Sequence, residues 1–182
     1  MAPEARRSWP GPGGRLCDRE DAGGTPKGLV AIPTYRDAPA TRPADLAGRD
    51  LAGSPVAVEV VGVDRWTLLL FLSTGCLGCQ EIWRSLQHPE PFAGVTPVVV
   101  TRDPGADDGD ALRRLAPSGV AVVQSTPAWR AYRVQGPPFF VLVDGGRGQV
   151  ATEGVAVGAS HIAEVVAAHL AVVSGGPAPP AG

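Results

Sequence analysis

The chain has 182 residues, 24 of them glycine and 19 proline, yet 44% are hydrophobic. A glycine and proline load of that size points toward low complexity, but the hydrophobic content excludes a wholly disordered chain. The formal net charge is −2. No run of Lys or Arg interleaves with aromatics, which excludes the electrostatic footprint of a nucleic-acid binder.

Glycine and proline are unevenly placed, with 16 in residues 1–55 and six in residues 174–182. Residues 1–50 therefore read as a Pro/Gly-rich, largely irregular arm whose one apolar patch is Leu29 to Ile32. Residues 51–173 read as one globular domain, and residues 174–182 as a disordered tail. The domain is long enough to bury an interior without metal or disulfide staples. The start, MAPEARRSWPGPGG, has no apolar h-region and is no secretory signal. The longest apolar stretches, Trp66–Leu72 and Val165–Val173, fall short of the roughly 20 residues that span a bilayer. The chain as it stands reads as soluble and cytoplasmic.

Val56 to Val61 is the first predicted strand, and Gly62 to Asp64 a turn. Trp66 to Leu72 is a short apolar run ending in Ser73-Thr74-Gly75, the pattern of a fully buried central strand. Cys79, Ile82, Trp83 and Leu86 follow at i, i+3, i+4, i+7, one face of a helix. His88-Pro89-Glu90-Pro91 stops it. Thr96 to Thr101 is another buried strand. Asp107 to Leu115 is a short polar helix, closed by Pro117-Ser118-Gly119, and Val120 to Val123 a third strand. Ser125 or Thr126 caps a brief helix with Pro127 in its first turn, ending near Val134. Pro138 to Val143 is a strand, Gly145 to Gly148 a turn, and Gln149 to Glu153 the hairpin partner. Ile162, Val165, Val166, Leu170 and Val173 mark a final amphipathic helix. Such alternation predicts a layered α/β domain around a mixed sheet.

The chemistry centres on Cys76-Leu77-Gly78-Cys79, where a buried strand turns into a helix. In a helical register Cys76 lies at the N-terminus, where free N–H groups and the macrodipole favour a thiolate. Cys79 lies one turn on, on the inward face, able to close a disulfide with Cys76. Cys76 is thus the expected nucleophile and Cys79 the resolving thiol. Two bland alternatives are a pair of small core residues and a zinc site. Zinc would need Cys17 and the scattered His88, His161 and His169 to complete four ligands, and no second ligand pair is present. The histidines read as surface residues, with His169 suited to the end of the last helix. Gly136-Pro137-Pro138 immediately precedes an apolar strand, and a strand-initial proline near a dithiol is a candidate for the cis isomer. An ordinary trans turn is the alternative.

Two stretches, LLLFLSTGCLGCQEIW (68–83) and AYRVQGPPFFVLVDGGRGQV (131–150), resemble the thioredoxin superfamily, specifically its TlpA/ResA-like thiol–disulfide oxidoreductases, or redoxins. The resemblance covers roughly residues 52–172. It implies a three-layer thioredoxin-like fold, a central mixed sheet flanked by helices. Val134, Gly136, Pro138 and Asp144 match the second family pattern, so Pro138 corresponds to the cis-proline that packs against the dithiol. Cys76 and Cys79 correspond to the attacking and resolving thiols. No cofactor beyond the redox-active disulfide is implied. The implied partners are a protein disulfide or dithiol and an upstream thiol reductant or oxidant.

The departures are informative. The family usually has Trp before the first cysteine, where Gly75 stands, and often Pro inside the motif beside Leu77, where Gly78 stands. Leu70 occupies the place of a buried acid. Ile82 stands where relatives carry a Glu, with Glu81 just before it. Glu81 and Glu59 are weak proton-acceptor candidates, each read chiefly as a solvated surface carboxylate. Pro137 has no N–H to offer an extended substrate peptide, which predicts weaker or differently selective docking. Relatives are often secreted or anchored by an N-terminal helix. The alternative to a cytoplasmic chain is therefore an extracytoplasmic, membrane-anchored one whose true start lies upstream. Cys17, in a charged setting, reads as an incidental thiol or a partner for intermolecular disulfides. The leading functional expectation is a thiol–disulfide oxidoreductase. The alternative is a non-catalytic thioredoxin-fold binding or scaffold domain, which the missing Trp, the missing acid and Pro137 favour. A peroxidase-like redoxin is a third reading, but its supported peroxidatic cysteine pattern is not apparent.

Overall fold

The computed structural model describes residues 35–36, 41–88 and 92–173. Cys17, the Leu29 to Ile32 patch, Pro89 to Pro91 and the tail lie outside the described residues. The strands are β1 (Tyr35–Arg36), β2 (Leu46–Arg49), β3 (Pro55–Val58), β4 (Trp66–Phe71), β5 (Thr96–Thr101), β6 (Ala121–Gln124), β7 (Phe139–Asp144) and β8 (Gln149–Val155). The helices are α1 (Cys79–Ser85), α2 (Gly109–Leu115), α3 (Thr126–Ala131) and α4 (Ala159–Val173). The strands form one sheet in the order β1-β8-β7-β4-β5-β6-β2-β3. β4, β5 and β6 run parallel. β7 is antiparallel to β4, and β8 to β7. The expected mixed sheet with flanking helices is therefore the observed architecture.

The apolar runs are central because both their faces are covered. Along β4, Leu68, Leu70 and Leu72 belong to one core cluster, with Cys79, Ile82 and Trp83 of α1, Leu112 of α2, and Ile162, Val165 and Val166 of α4. The alternate residues Leu69 and Phe71 belong to the other, with Ala128 and Trp129 of α3. Strand periodicity assigns successive side chains to opposite faces. In this sheet a continuous apolar run therefore supplies two cores at once. Phe71 meets the Trp129 ring edge-on at 5.5 Å.

Several boundaries differ from expectation, α2 beginning at Gly109 rather than Asp107 and β8 running on to Val155 among them, and three others show what sets them. β2, together with the two residues of β1, lies inside the segment read as an irregular arm. Its four residues are held by antiparallel partners, β3 on one side and β6 on the other, rather than by local propensity. β3 stops at Val58 because Val60 and Val61 turn their N–H groups to the Asp45 carboxylate, at 2.8 and 3.0 Å. α3 stops at Ala131, short of Val134, because Arg133 takes a left-handed φ of 54°. The Val134 N–H then reaches back to the Trp129 carbonyl and the Arg133 N–H to the Arg130 carbonyl. This is a Schellman closure, and it buries Val134 and aims the chain at Gly136-Pro137-Pro138.

Topology brings the two sequence motifs together. Phe71, the last residue of β4, pairs with Phe139, the first of β7. The residues that leave β4 therefore meet those that enter β7. The parallel neighbour β5 ends at this same edge, the carboxyl ends of the parallel strands, where α/β sheets commonly place their sites.

Candidate functional site

β4 leaves the sheet through Leu72-Ser73-Thr74-Gly75 and delivers Cys76 to the edge. The helix does not begin there. α1 starts at Cys79, has seven residues, and is preceded by Gly78 at the cap with no side chain to bond its free N–H groups. The turn ahead of it is tightened by i→i+3 bonds instead, from the Cys79 N–H to the Cys76 carbonyl at 3.1 Å and from the Gln80 N–H to the Leu77 carbonyl at 3.3 Å. Cys76 thus stands before the helix rather than within its first turn, which corrects the expected register.

Both thiols are free; Cys76 is half-buried and Cys79 buried. Cys79 lies in the apolar cluster beneath the motif. Burial pushes its thiol well up from the usual cysteine range, and its hydrogen bond with Cys76 pushes the same way. The nearby charges of Cys76 and Asp107 add to this, while a hydrogen bond from the Ser73 backbone opposes it. Two hydrogen-bonded thiols, one reachable and one enclosed, can exchange two electrons with a partner disulfide.

The motif packs against the second stretch. A Cβ built on Gly78 would lie 3.5 Å from Cγ and Cδ of Pro138, ordinary contact distance. The Pro137–Pro138 peptide is cis. The Pro138 carbonyl accepts from the Ala156 N–H at 3.0 Å, which joins the entry of β7 to the exit of β8. Gly136, Pro137 and Pro138 are half-buried, whereas Gly75, Leu77 and Gly78 are exposed. All eight sequence-predicted site residues therefore come from two adjoining segments at one edge.

The carboxylates fall differently. Glu59 and Glu81 are exposed, and the Glu81 carboxylate lies toward Gly158, where an added Cβ would come within 2.9 Å of it. Leu70 is fully buried in the same cluster as Cys79. Among the described residues, the carboxylate whose charge bears on Cys79 is Asp107, which the motifs did not single out. Its signal was positional, since it follows β5, the parallel neighbour of β4. Of the histidines, His88 is exposed. His161 packs edge-on against Phe140 at 6.1 Å, and His169 Nδ1 lies 2.9 Å from the Val165 carbonyl. Half-buried His161 is thus more enclosed than the surface position expected for it, because α4 turns it toward β7. Among the described residues no group of three or more His, Cys, Asp or Glu side chains is arranged to hold a metal ion.

Solved structures decide the fold. A thiol:disulfide interchange protein of the thioredoxin family from Chlorobium tepidum superposes with a TM-score of 0.56 at 20% identity, over 74% of this chain and 99% of its own. The chain has the thioredoxin fold. A secreted disulfide oxidoreductase of Mycobacterium tuberculosis matches this thioredoxin-fold chain with a TM-score of 0.55 at 20% identity, over 68% of this chain and 95% of that one. The pneumococcal exposed lipoprotein thioredoxin of Streptococcus pneumoniae gives 0.55 at 15% identity, over 68% and 98%. No protein-family model and no curated protein sequence matches the chain. Among the described residues no helix is long and apolar enough to cross a membrane.

Proposed function

We propose that this thioredoxin-fold chain is a thiol–disulfide oxidoreductase. The observation that carries the reading is the asymmetry of the pair, a half-exposed Cys76 hydrogen-bonded to a fully enclosed Cys79. Cys76, as thiolate, attacks one sulfur of a partner disulfide. That S–S bond breaks, the partner's other sulfur leaves and takes up a proton, and a mixed disulfide joins Cys76 to the partner. Cys79 then gives up its proton and attacks the Cys76 sulfur. The partner's second thiol leaves, its disulfide now reduced by two electrons, and Cys76–Cys79 is oxidised. The reverse sequence oxidises a partner dithiol. A thiol reductant or oxidant upstream resets the pair, and the cycle needs no cofactor beyond these two sulfurs.

The surroundings favour an extended protein partner. Leu77 is 84%, Val155 53% and Val157 69% exposed, and all three stand on segments that adjoin Gly78 or Pro138. Apolar side chains left open around a reactive thiol suit a partner that brings apolar residues with its disulfide. Pro138 packs against the motif, and Pro137, which lacks an N–H, narrows how a peptide backbone can dock. The secreted and lipoprotein neighbours support an extracytoplasmic place of work.

A dithiol-exchange assay with insulin tests the reading. Cys76→Ser should abolish exchange. Cys79→Ala should turn over poorly and accumulate the mixed disulfide between Cys76 and insulin. Exchange that persists in Cys76→Ser would refute the assignment. A chain folded as described yet inert even with both cysteines intact would favour a binding domain, the reading to which buried Leu70 and Pro137 lend weight.

A further inference from the structure

Asp107 stands between β5 and α2, outside both sequence motifs, yet its Oδ1 binds the residues that lead into the dithiol. The Ser73 hydroxyl donates to it at 2.7 Å, the Thr74 N–H at 2.9 Å and the Thr74 hydroxyl at 3.1 Å. The Ser73 oxygen in turn accepts from the Gly75 N–H at 3.3 Å. One half-buried carboxylate therefore ties down the segment from the end of β4 to the residue before Cys76. The Ser73 backbone also bonds the Cys79 sulfur. Helix capping does not explain the arrangement, because α2 is capped by the next residue. Asp108 accepts from the Asp110 N–H at 2.9 Å and the Ala111 N–H at 3.1 Å.

We propose that Asp107 is the positioning carboxylate of this dithiol: by clamping Ser73 and Thr74 it holds the Ser73 N–H on the Cys79 sulfur and sets a negative charge beside the resolving thiol. The inference rests on reading Cys76 and Cys79 as the reactive pair. It gives the site a carboxylate although Leu70 and Ile82 occupy the two places where relatives carry one. The two actions have opposite signs on Cys79. A charge-neutral clamp favours the thiolate by donating to it. The carboxylate's own charge disfavours it. Among the described residues, Cys76 and Asp107 are the titratable groups acting on Cys79. The cluster that encloses it is apolar, Leu70, Leu72, Phe140 and Ile162 included.

These opposite signs make the role measurable. In a Cys17→Ser/Cys76→Ser chain, Cys79 is the sole thiol, and its ionisation in the closed fold is followed against pH by the ultraviolet absorbance of the thiolate, which needs no opening of the turn. Asp107→Asn keeps an oxygen that can accept all three bonds but removes the charge. Its curve should move to lower pH, with about two- to threefold more thiolate at a fixed pH below the midpoint. Asp107→Ala also releases Ser73 and Thr74, so its curve should lie at higher pH than that of the Asn variant. A purely structural role would lower the melting temperature of these variants and leave the curves superimposed, which would overturn the proposal. A shift to higher pH in Asp107→Asn would overturn it equally. Should Asp107→Ala not fold, Asp107→Asn alone decides. The titration needs no exchange partner. A failed insulin assay would remove the functional reading and leave this measurement standing, whereas superimposed curves in an active protein would remove only the role of Asp107.

Discussion

The two thiols differ in access, and the difference sets a ratio that can be measured. The perturbation is a pair of variants, Cys76→Ser and Cys79→Ser, each made with Cys17→Ser so that one thiol remains. Cys79 is 0% exposed, so a reagent reaches it only when the turn before α1 opens. α1 is short and lacks a side-chain cap, so we assign that opening a cost of about 3 kcal/mol, toward the low end of the range for structured elements. At 1.4 kcal/mol per factor of ten, the accessible fraction is then below about 1%. Half-exposed Cys76 meets no such opening barrier. At neutral pH the chain that retains Cys76 should therefore be alkylated at least ~100-fold faster than the chain that retains Cys79.

The assay is the stoichiometry of iodoacetamide labelling against time, read by intact mass, with circular dichroism to establish that both variants are folded. Adding denaturant should erase the difference, because it removes the enclosure from Cys79 while leaving the reagent unchanged. Comparable rates in the two native variants would refute the reasoning. They would mean that Cys79 is reachable without opening and that the order of attack and resolution has no structural basis.

Pro137→Thr restores a backbone N–H at the position next to Pro138. One added hydrogen bond, worth about 0.5–1.5 kcal/mol, should lower KM for a protein disulfide by roughly two- to tenfold with kcat little changed, and an unchanged KM counts against peptide docking there. The Tyr132 hydroxyl donates to the Ala44 carbonyl at 2.6 Å and accepts from its N–H at 2.9 Å, and burial pushes the phenol up to about 12. Because the unfolded chain loses this proton first, stability is full below about pH 10 and falls as pH rises through 12. Tyr132→Phe should flatten that limb in urea titrations and cost about 1–3 kcal/mol at pH 7 through the groups left unpaired on Ala44. A Cβ on Gly48 would overlap the Gln124 carbonyl oxygen and lie 2.9 Å from Cγ1 of Val123. Gly48→Ala should therefore cost about 1–3 kcal/mol, and a midpoint equal to the parent's would mean that β2 does not press on β6.

What the sequence made legible was what repeats locally. Leu68 to Leu72, Thr96 to Thr101 and Phe139 to Val143 announced themselves as buried strands, and the spacing of Cys79, Ile82, Trp83 and Leu86 announced a helix face, because each pattern lies within a few residues. β2 was not legible. Leu46-Ala47-Gly48-Arg49 has one large apolar side chain and a glycine, and only its partners β3 and β6, remote in sequence, make it a strand. The same distinction separates Pro138 from Asp107. Pro138 could be matched because its neighbours form a recognisable stretch. Asp107 lies 33 and 34 positions from the residues it binds.

Even the correct topology would not have chosen it. The segment after β5 carries Asp103, Asp107 and Asp108, all of them polar and all close to the edge where Cys76 emerges. Asp108 caps α2. Asp103 exchanges bonds with Thr126, its carboxylate accepting from the Thr126 N–H at 2.9 Å while its own N–H donates to the threonine hydroxyl at 3.1 Å, and so anchors the start of α3. Two of the three aspartates are thus committed to helix ends by a residue-scale geometry that propensity rules describe well. Only the third is left to turn toward β4. A reading that first assigned the caps, from Asp108 ahead of α2 and Ser125-Thr126 ahead of α3, would have reached Asp107 by subtraction. In a fold whose reactive edge gathers several loop carboxylates, the one without a helix to cap is the one to test against the thiols.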